Sequence, residues 1–188
     1  MNIGTTLYVT NRKAWRSWLS KNYESAPDIW LIFYKKASGK KRIPYNDAVE
    51  EALCYGWIDS IVKSVDHECF AQRFSPRKPN SVLSDMNKER IRRLIAAKKM
   101  TRAGLSAIGH HLTSQKKLPS RFIVPSDILV ALKKNPDAWK NYRRFPLSYK
   151  RIRVGWIDAS RSRSDVFKKR LKYFVDMCTK NKQFGMVR

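Results

Sequence analysis

The 188-residue chain carries 40 Lys and Arg against 15 Asp and Glu, a net charge of +25, yet 43% of it is hydrophobic and six residues are Trp. That apolar content supports a packed core and excludes the charge-expanded disordered class, while the cationic surface favours anionic partners. The three Cys, at 54, 69 and 178, form no C-x-x-C pair, so neither a disulfide framework nor a paired-cysteine metal site is expected.

The first residues, MNIGTTLYVTNRKAWRSW, lack the apolar stretch of a secretory signal. No later run approaches the roughly 20 apolar residues of a bilayer span. These readings predict a cytoplasmic protein without a transmembrane segment. The charge is uneven, with 19 basic and 10 acidic residues in 1–100 against 21 and 5 in 101–188.

In chain order, Thr10 is placed to cap a helix over 11–22 whose Trp15, Trp18 and Leu19 recur at helical spacing. IWLIFY (29–34) reads as a buried strand, followed by a basic turn. DAVEEALCYG (47–56) reads as a short amphipathic helix with Gly56 at its C-terminal end and Glu50 and Glu51 as an exposed pair. WIDSIVKSV and ECFAQRFS, either side of Asp66 and His67, predict an antiparallel hairpin. SPRKPNS (75–81), with two prolines, is a loop leaving the sheet.

Ser84 or Asp85 caps a helix to about Lys99 with Ile91, Leu94 and Ile95 inward, and Thr101 opens another through about His111. TSQKKLPSRFIV (113–124) lacks periodicity and marks a lobe boundary. Helices then begin at Ser126-Asp127, Asn135-Pro136, Ser148 and Ser164. GWID occurs at both 56–59 and 155–158, in a hairpin context first and a helical one second, so it is no repeat. The expected fold is α+β: a small antiparallel sheet with flanking helices in a domain over 1–113, then a basic, all-helical lobe over 114–188 packed on it.

A Ser/His/Asp or Cys/His nucleophile would have only His67, His110 and His111 as its base, each at a predicted turn or helix end, and the one other catalytic reading is a lone Asp59 as general base. No zinc-type motif or Gly-rich phosphate loop is present, so no cofactor or metal and no catalytic residue is assigned. One constellation stands out, over 55–87. Trp57 and Asp59 share one face of the first hairpin strand, Gln72 and Arg73 lie on the second, and Arg77, Lys78 and Asn80 lie in the proline-stiffened loop. An Asp59–Arg73 pair across the sheet would orient the guanidinium beside Trp57. Trp57, Asp59, Gln72, Arg73, Arg77, Lys78 and Asn80 are therefore the candidate ligand-binding set, suited to an anion.

These residues also carry a resemblance. WLIFYKKASGKKRIPYNDAVEEALCYGWIDSIVK, FAQRFSPRKPNS and NKERIRRLIAAKKMTRAGL, with PSDILVALKKNPDAWKNYRRFPLSYKRIRVGWIDASRSR and KKRL, resemble the YdeI/OmpD-associated family of small bacterial proteins, often named bacteriocin-protection proteins. Ser60 stands where that pattern usually has Gly, Leu83 where it has Trp, and Ala159–Ser164 replaces its A-K-R-P-E-T run. The resemblance implies an α+β part followed by helices, and a link to envelope stress and resistance to bacteriocins or cationic peptides. The expected partner is an anionic small molecule or an envelope-related partner, bound without catalysis. The alternative is nucleic acid, held by the basic C-terminal segments RSR (161–163) and KKRLK (168–172). Oligomeric state is not readable.

Overall fold

The computed structural model describes residues 2–79, 81–109 and 122–185. Asn80, the His110–His111 end of the helix expected after Thr101, and residues 113–121 of the expected boundary lie outside the described residues. The chain divides into two compact units, Met1–Leu83 with Arg90–Lys116, and Ser84–Glu89 with Lys117–Arg188.

The first unit is built on a four-stranded sheet in the order β1-β2-β4-β3, where β1 is Thr6–Leu7, β2 Ile29–Tyr34, β3 Trp57–Ser64 and β4 Cys69–Pro76. β2–β4 and β4–β3 are antiparallel, but β1 runs parallel to β2. The sheet is therefore mixed rather than purely antiparallel. A two-residue strand is too short to leave an alternating pattern, and its direction is set by the α1 crossover, Arg12–Asn22, that joins β1 to β2. Asn11, not Thr10, caps α1: its side-chain oxygen accepts from the Ala14 amide at 2.9 Å.

One face of the sheet presents Ile29, Leu31 and Phe33 of β2 with Phe70 and Phe74 of β4. α1 and α2, Tyr45–Cys54, contribute to the core on this face. Trp15 meets Phe74 edge-on with ring centres 5.5 Å apart, Trp18 meets Trp57 at 5.8 Å, and Phe33 lies 6.4 Å from Tyr45. The Trp15 indole, wholly buried, donates to the Ala48 carbonyl at 3.0 Å, so its one polar atom is satisfied.

The acidic end of α2 is not an exposed pair. Glu51 is buried and its carboxylate is held by Arg12 at 2.8 Å and Arg16 at 2.7 Å, while Glu50 takes Arg12 and Arg93. The sequence put Glu50 and Glu51 on the polar face of α2, and α1 brings its arginines against that face. Past α2, Gly56 adopts φ 76°, a left-handed conformation that favours glycine, and turns the chain into β3.

α3, Asp85–Ala96, is capped by Ser84, whose hydroxyl accepts from the Asn87 amide at 3.3 Å. Ile91 and Leu94 are buried, but Ile95, on the same i, i+3, i+4 stripe, is 40% exposed, because the packing covers only the part of that stripe that holds Ile91 and Leu94. The helix stops at Ala96, ahead of the expected Lys99, with Lys98 at φ 54° and the Lys99 amide returning to the Leu94 carbonyl at 2.9 Å. α4, Arg102–Ala107, is capped by Thr101.

The second unit holds α5 (Ser126–Lys133), α6 (Pro136–Arg144), α7 (Leu147–Asp158) and α8 (Ser164–Thr179). Their core is Ile128, Leu132, Ala138, Tyr142, Tyr149, Val154, Ile157, Phe174 and Cys178. Asn135 caps α6 by accepting from the Ala138 amide at 3.0 Å, with Pro136 in the first turn. α5 and α7 instead follow Pro125 and Pro146 without a side-chain cap, so Ser148 lies inside α7. No helix among the described residues is long and apolar enough to cross a membrane.

Candidate functional site

The hairpin register decides what the sequence-derived set can do together. Trp57 faces Pro76, Ile58 faces Ser75 and Asp59 faces Phe74, so Trp57 and Asp59 share the core face with Phe74. Arg73 projects to the other face, and an Asp59–Arg73 pair does not form. Arg73 instead holds the Asp28 carboxylate through both Nε and Nη2, at 3.0 and 2.7 Å. Asp59 accepts from the Tyr45 hydroxyl at 2.5 Å. Burial, then this carboxylate, pushes the Tyr45 phenol well above its usual range.

Trp57 is 1% exposed and its indole donates to the Tyr23 carbonyl at 3.1 Å, which places the ring in the core rather than on a surface. Gln72 is also buried, its side-chain amide donating to the Ile61 carbonyl at 3.3 Å beside the bulge between Asp59 and Val62. At the hairpin exit, Arg77 donates from its backbone to Gly56 at 2.9 Å and from Nη2 to the Ser81 carbonyl at 2.6 Å. Its buried Nε has no hydrogen-bond partner among the described residues, and burial lowers its pKa. Lys78 beside it is exposed. The structure thus keeps Arg77 and Lys78 together at the hairpin exit, sends Arg73 to the opposite face, and commits Trp57 and Gln72 to packing.

The C-terminal basic residues are similarly divided. Arg161 makes two bonds to Asp127, at 2.8 and 3.0 Å, and one to Asp158 at 2.5 Å. Arg170 donates to the Trp156 carbonyl at 2.6 Å, its guanidinium 4.5 Å from the Trp156 ring centre. The cations on α8 that stay exposed are Lys168, Lys169 and Lys172.

A more shaped basic surface lies on α6, where two clefts of about 610 and 530 Å³ share Trp139 and Arg143 as a common wall. Lys133, Pro136, Lys140 and Arg144 complete the first; Lys150, Arg151, Phe122, Tyr142 and Leu147 complete the second. Six cations line the pair, and no carboxylate does among the described residues. Trp139, half-buried, stacks on Tyr142 with centroids 5.8 Å apart, and the Lys133 ammonium lies 5.5 Å from its ring centre. Lys150 donates to the Arg143 carbonyl at 2.8 Å, and burial, then the neighbouring Arg143 charge, lowers its ammonium pKa. Arg151 has one distant acidic neighbour, Glu89 at 3.7 Å.

Sequence reasoning missed this surface although its signal was present. Pro136, Trp139 or Lys140, and Arg143 or Arg144 recur every three to four residues, which lines them along one side of α6 while Ala138 and Tyr142 face the core. Chemically, the surface offers point charges, two forked guanidinium groups in each cleft with Arg143 common to both, and an aromatic wall. That combination suits an extended anion with flat or apolar parts.

Residues 7–107 match the family described as Domain of unknown function (DUF8412), and residues 121–181 match the family described as Bacteriocin-protection, YdeI or OmpD-Associated. No curated protein and no solved structure gives a match. The hairpin residues fall inside the first match, and both α6 clefts fall wholly inside the second. The first match spans more than half of the chain, which therefore belongs to the DUF8412 family and carries a YdeI/OmpD-associated region in its C-terminal helices.

Proposed function

We propose that the chain is a binding protein for extended anionic ligands and that α6 carries the binding face. The observation that supports this reading is the pair of adjoining clefts, lined by six cations and walled by Trp139. An anion entering there gains opposite charge, with Glu89 reaching only Arg151 at 3.7 Å, and brings Lys150 a compensating charge that its burial and the neighbouring Arg143 leave it short of. The hairpin cations are less suited: Arg73 is already neutralised by Asp28, which leaves Arg77 and Lys78 as a smaller contact.

The description of the family matching 121–181 speaks of bacteriocin protection, and the α6 face lies within those residues. This supports a protective role exerted by capturing an anionic, envelope-related ligand. A nucleic acid is the second reading, favoured by an aromatic ring set among cations, on which bases stack.

The test is binding of labelled polyphosphate and of a labelled single-stranded oligonucleotide to wild type and to a Lys140→Glu/Arg143→Glu variant, by fluorescence anisotropy at two salt concentrations. Charge reversal is expected to weaken binding at least about tenfold, with a steep loss of affinity as salt rises. Equal affinity in a variant of native circular dichroism refutes the α6 reading. Tight binding of the oligonucleotide but not of polyphosphate selects the nucleic-acid reading.

A further inference from the structure

Arg153, in the middle of α7, is buried, and its Nε and Nη2 have no hydrogen-bond partner among the described residues. Aromatic rings surround it instead: its guanidinium carbon lies 4.4 Å from the ring centre of Phe184, 5.6 Å from that of Tyr149 and 5.9 Å from that of Trp156. No carboxylate neighbours it among the described residues, and burial lowers its pKa, with the Tyr149 and Tyr173 phenols only partly offsetting that effect. An unpaired buried cation is costly, and rings return only part of what hydration supplied. The two idle atoms are also a particular pair. Nε and Nη2 form the side-on edge of a guanidinium, the edge that grips a carboxylate with two parallel hydrogen bonds.

What covers that edge is the chain itself. After α8 the backbone turns at Asn181, with φ 52°, and lays Phe184 and Gly185 over Arg153. The approach is so close that a side chain at Gly185 would overlap Nη2. Phe184 makes ring contacts with Tyr149, Trp156, Tyr173 and Phe174, but among the described residues its backbone is tied to α7 only by a 3.4 Å bond to the Tyr149 hydroxyl. The cover is held by ring packing, which another aromatic group can replace.

We infer that Arg153 anchors a second, occluded ligand site, which takes an aromatic carboxylate in place of Phe184 and Gly185. The carboxylate pairs with the Nε–Nη2 edge and its ring takes the position of the Phe184 ring against Tyr149 and Trp156. The chemistry selects a monoanion: one guanidinium edge among rings satisfies one carboxylate, whereas a phosphate dianion would bring more charge and oxygens than the walls can serve. This site is distinct from the α6 clefts, whose lining does not include Arg153.

The test uses the full chain with benzoate as probe and inorganic phosphate as control, read by the Arg153 Nε–H resonance and by thermal shift. Benzoate is expected to move that resonance, and Phe184→Ala, which removes the covering ring, is expected to bind it at least about tenfold more tightly than wild type. Gly185→Ala, which pushes the cover off by overlap, serves as the second opening variant and is expected to act in the same direction. Adding Arg153→Met to either variant is expected to abolish binding, while Lys140→Glu/Arg143→Glu leaves it intact. The proposal is overturned if neither opening variant gains affinity, if binding survives Arg153→Met, or if phosphate binds in preference to benzoate.

Discussion

Arg12 reaches from α1 to α2, where its Nε donates to Glu51 at 2.8 Å while its two terminal nitrogens hold Asp47 and Glu50 at 3.1 to 3.2 Å. Glu51 is the buried centre of the cluster, since its second oxygen accepts from Arg16 at 2.7 Å. Removing it leaves two guanidinium groups against a packed helix, both of them about a third exposed. Glu51→Ala is therefore expected to cost about 2 kcal/mol, less than a fully buried pair because Arg12 and Arg16 regain some water. Urea unfolding checks this, and a loss within a few tenths of a kcal/mol would mean that the cluster is only solvated charge.

Gly104 lies where α4 meets the end of α2. The Cys54 carbonyl accepts from both the Thr101 amide, at 3.1 Å, and the Thr101 hydroxyl, at 2.6 Å, and a Cβ on Gly104 would overlap that same oxygen. Gly104→Ala is expected to destabilise the protein by about 1 to 3 kcal/mol, because the obstacle is backbone and cannot rotate away. Thermal melts of the variant beside wild type test it.

Asp66 closes the β3–β4 hairpin by accepting from the Glu68 and Cys69 amides at 2.7 and 2.8 Å. Those backbone bonds, Cys69 first, hold its carboxyl below the ordinary carboxylate value. A depressed carboxylate stabilises the fold above its unfolded pKa and loses that contribution as pH falls through its folded one. Melting temperatures of wild type and Asp66→Asn are expected to differ at neutral pH and to converge in acid, below the ordinary carboxylate range. A difference that grows on acidification would contradict the assignment.

The three thiols are all buried. Burial pushes Cys178 up to about 12, and it also raises Cys54 and Cys69, aided at each by a nearby carboxylate, Glu51 and Asp66 respectively. The native protein is expected to consume almost no thiol reagent at pH 8 and to consume three equivalents once unfolded, in line with its three Cys. Rapid native labelling of any one of them would show a more open environment than this packing gives.

Arg77 allows the hairpin exit to be tested apart from α6. Its Nε is buried without a partner among the described residues, so Arg77→Met removes a charge whose one side-chain bond there goes to the Ser81 carbonyl while keeping apolar bulk, and stability is expected to change by no more than about 1 kcal/mol. If the hairpin exit takes anions, inorganic phosphate should stabilise the Lys140→Glu/Arg143→Glu variant and fail to do so once Arg77→Met is added. Unchanged stabilisation would assign phosphate elsewhere.

Much of the fold was legible because local patterns carried it. Trp15 and Leu19 lie four residues apart and both face the core, and Asn135-Pro136 opens a helix as that pair predicts. β1 was not legible, since a strand of two residues exists only through its pairing with β2. Nor was the exposure of Ile95, which depends on where α3 meets its neighbours.

The candidate site divides along the same line. Sequence alone determined that this chain is strongly cationic, rich in Trp, and organised as a mixed α and β part followed by helices, because charge, periodicity and capping are local properties. It also placed Arg77 with Lys78. Tertiary structure decided which cations are still available: register turned Arg73 away from Asp59 and onto Asp28, and packing absorbed Trp57. The tetrapeptide Gly-Trp-Ile-Asp shows the reason in miniature. At 56–59 it leads into β3, where its Trp is core and its Asp meets Tyr45; at 155–158 it is helical, where its Trp carries Arg170 and its Asp meets Arg161. Identical residues acquire different partners because a side chain's chemistry is local, whereas what faces it is set by distant parts of the chain.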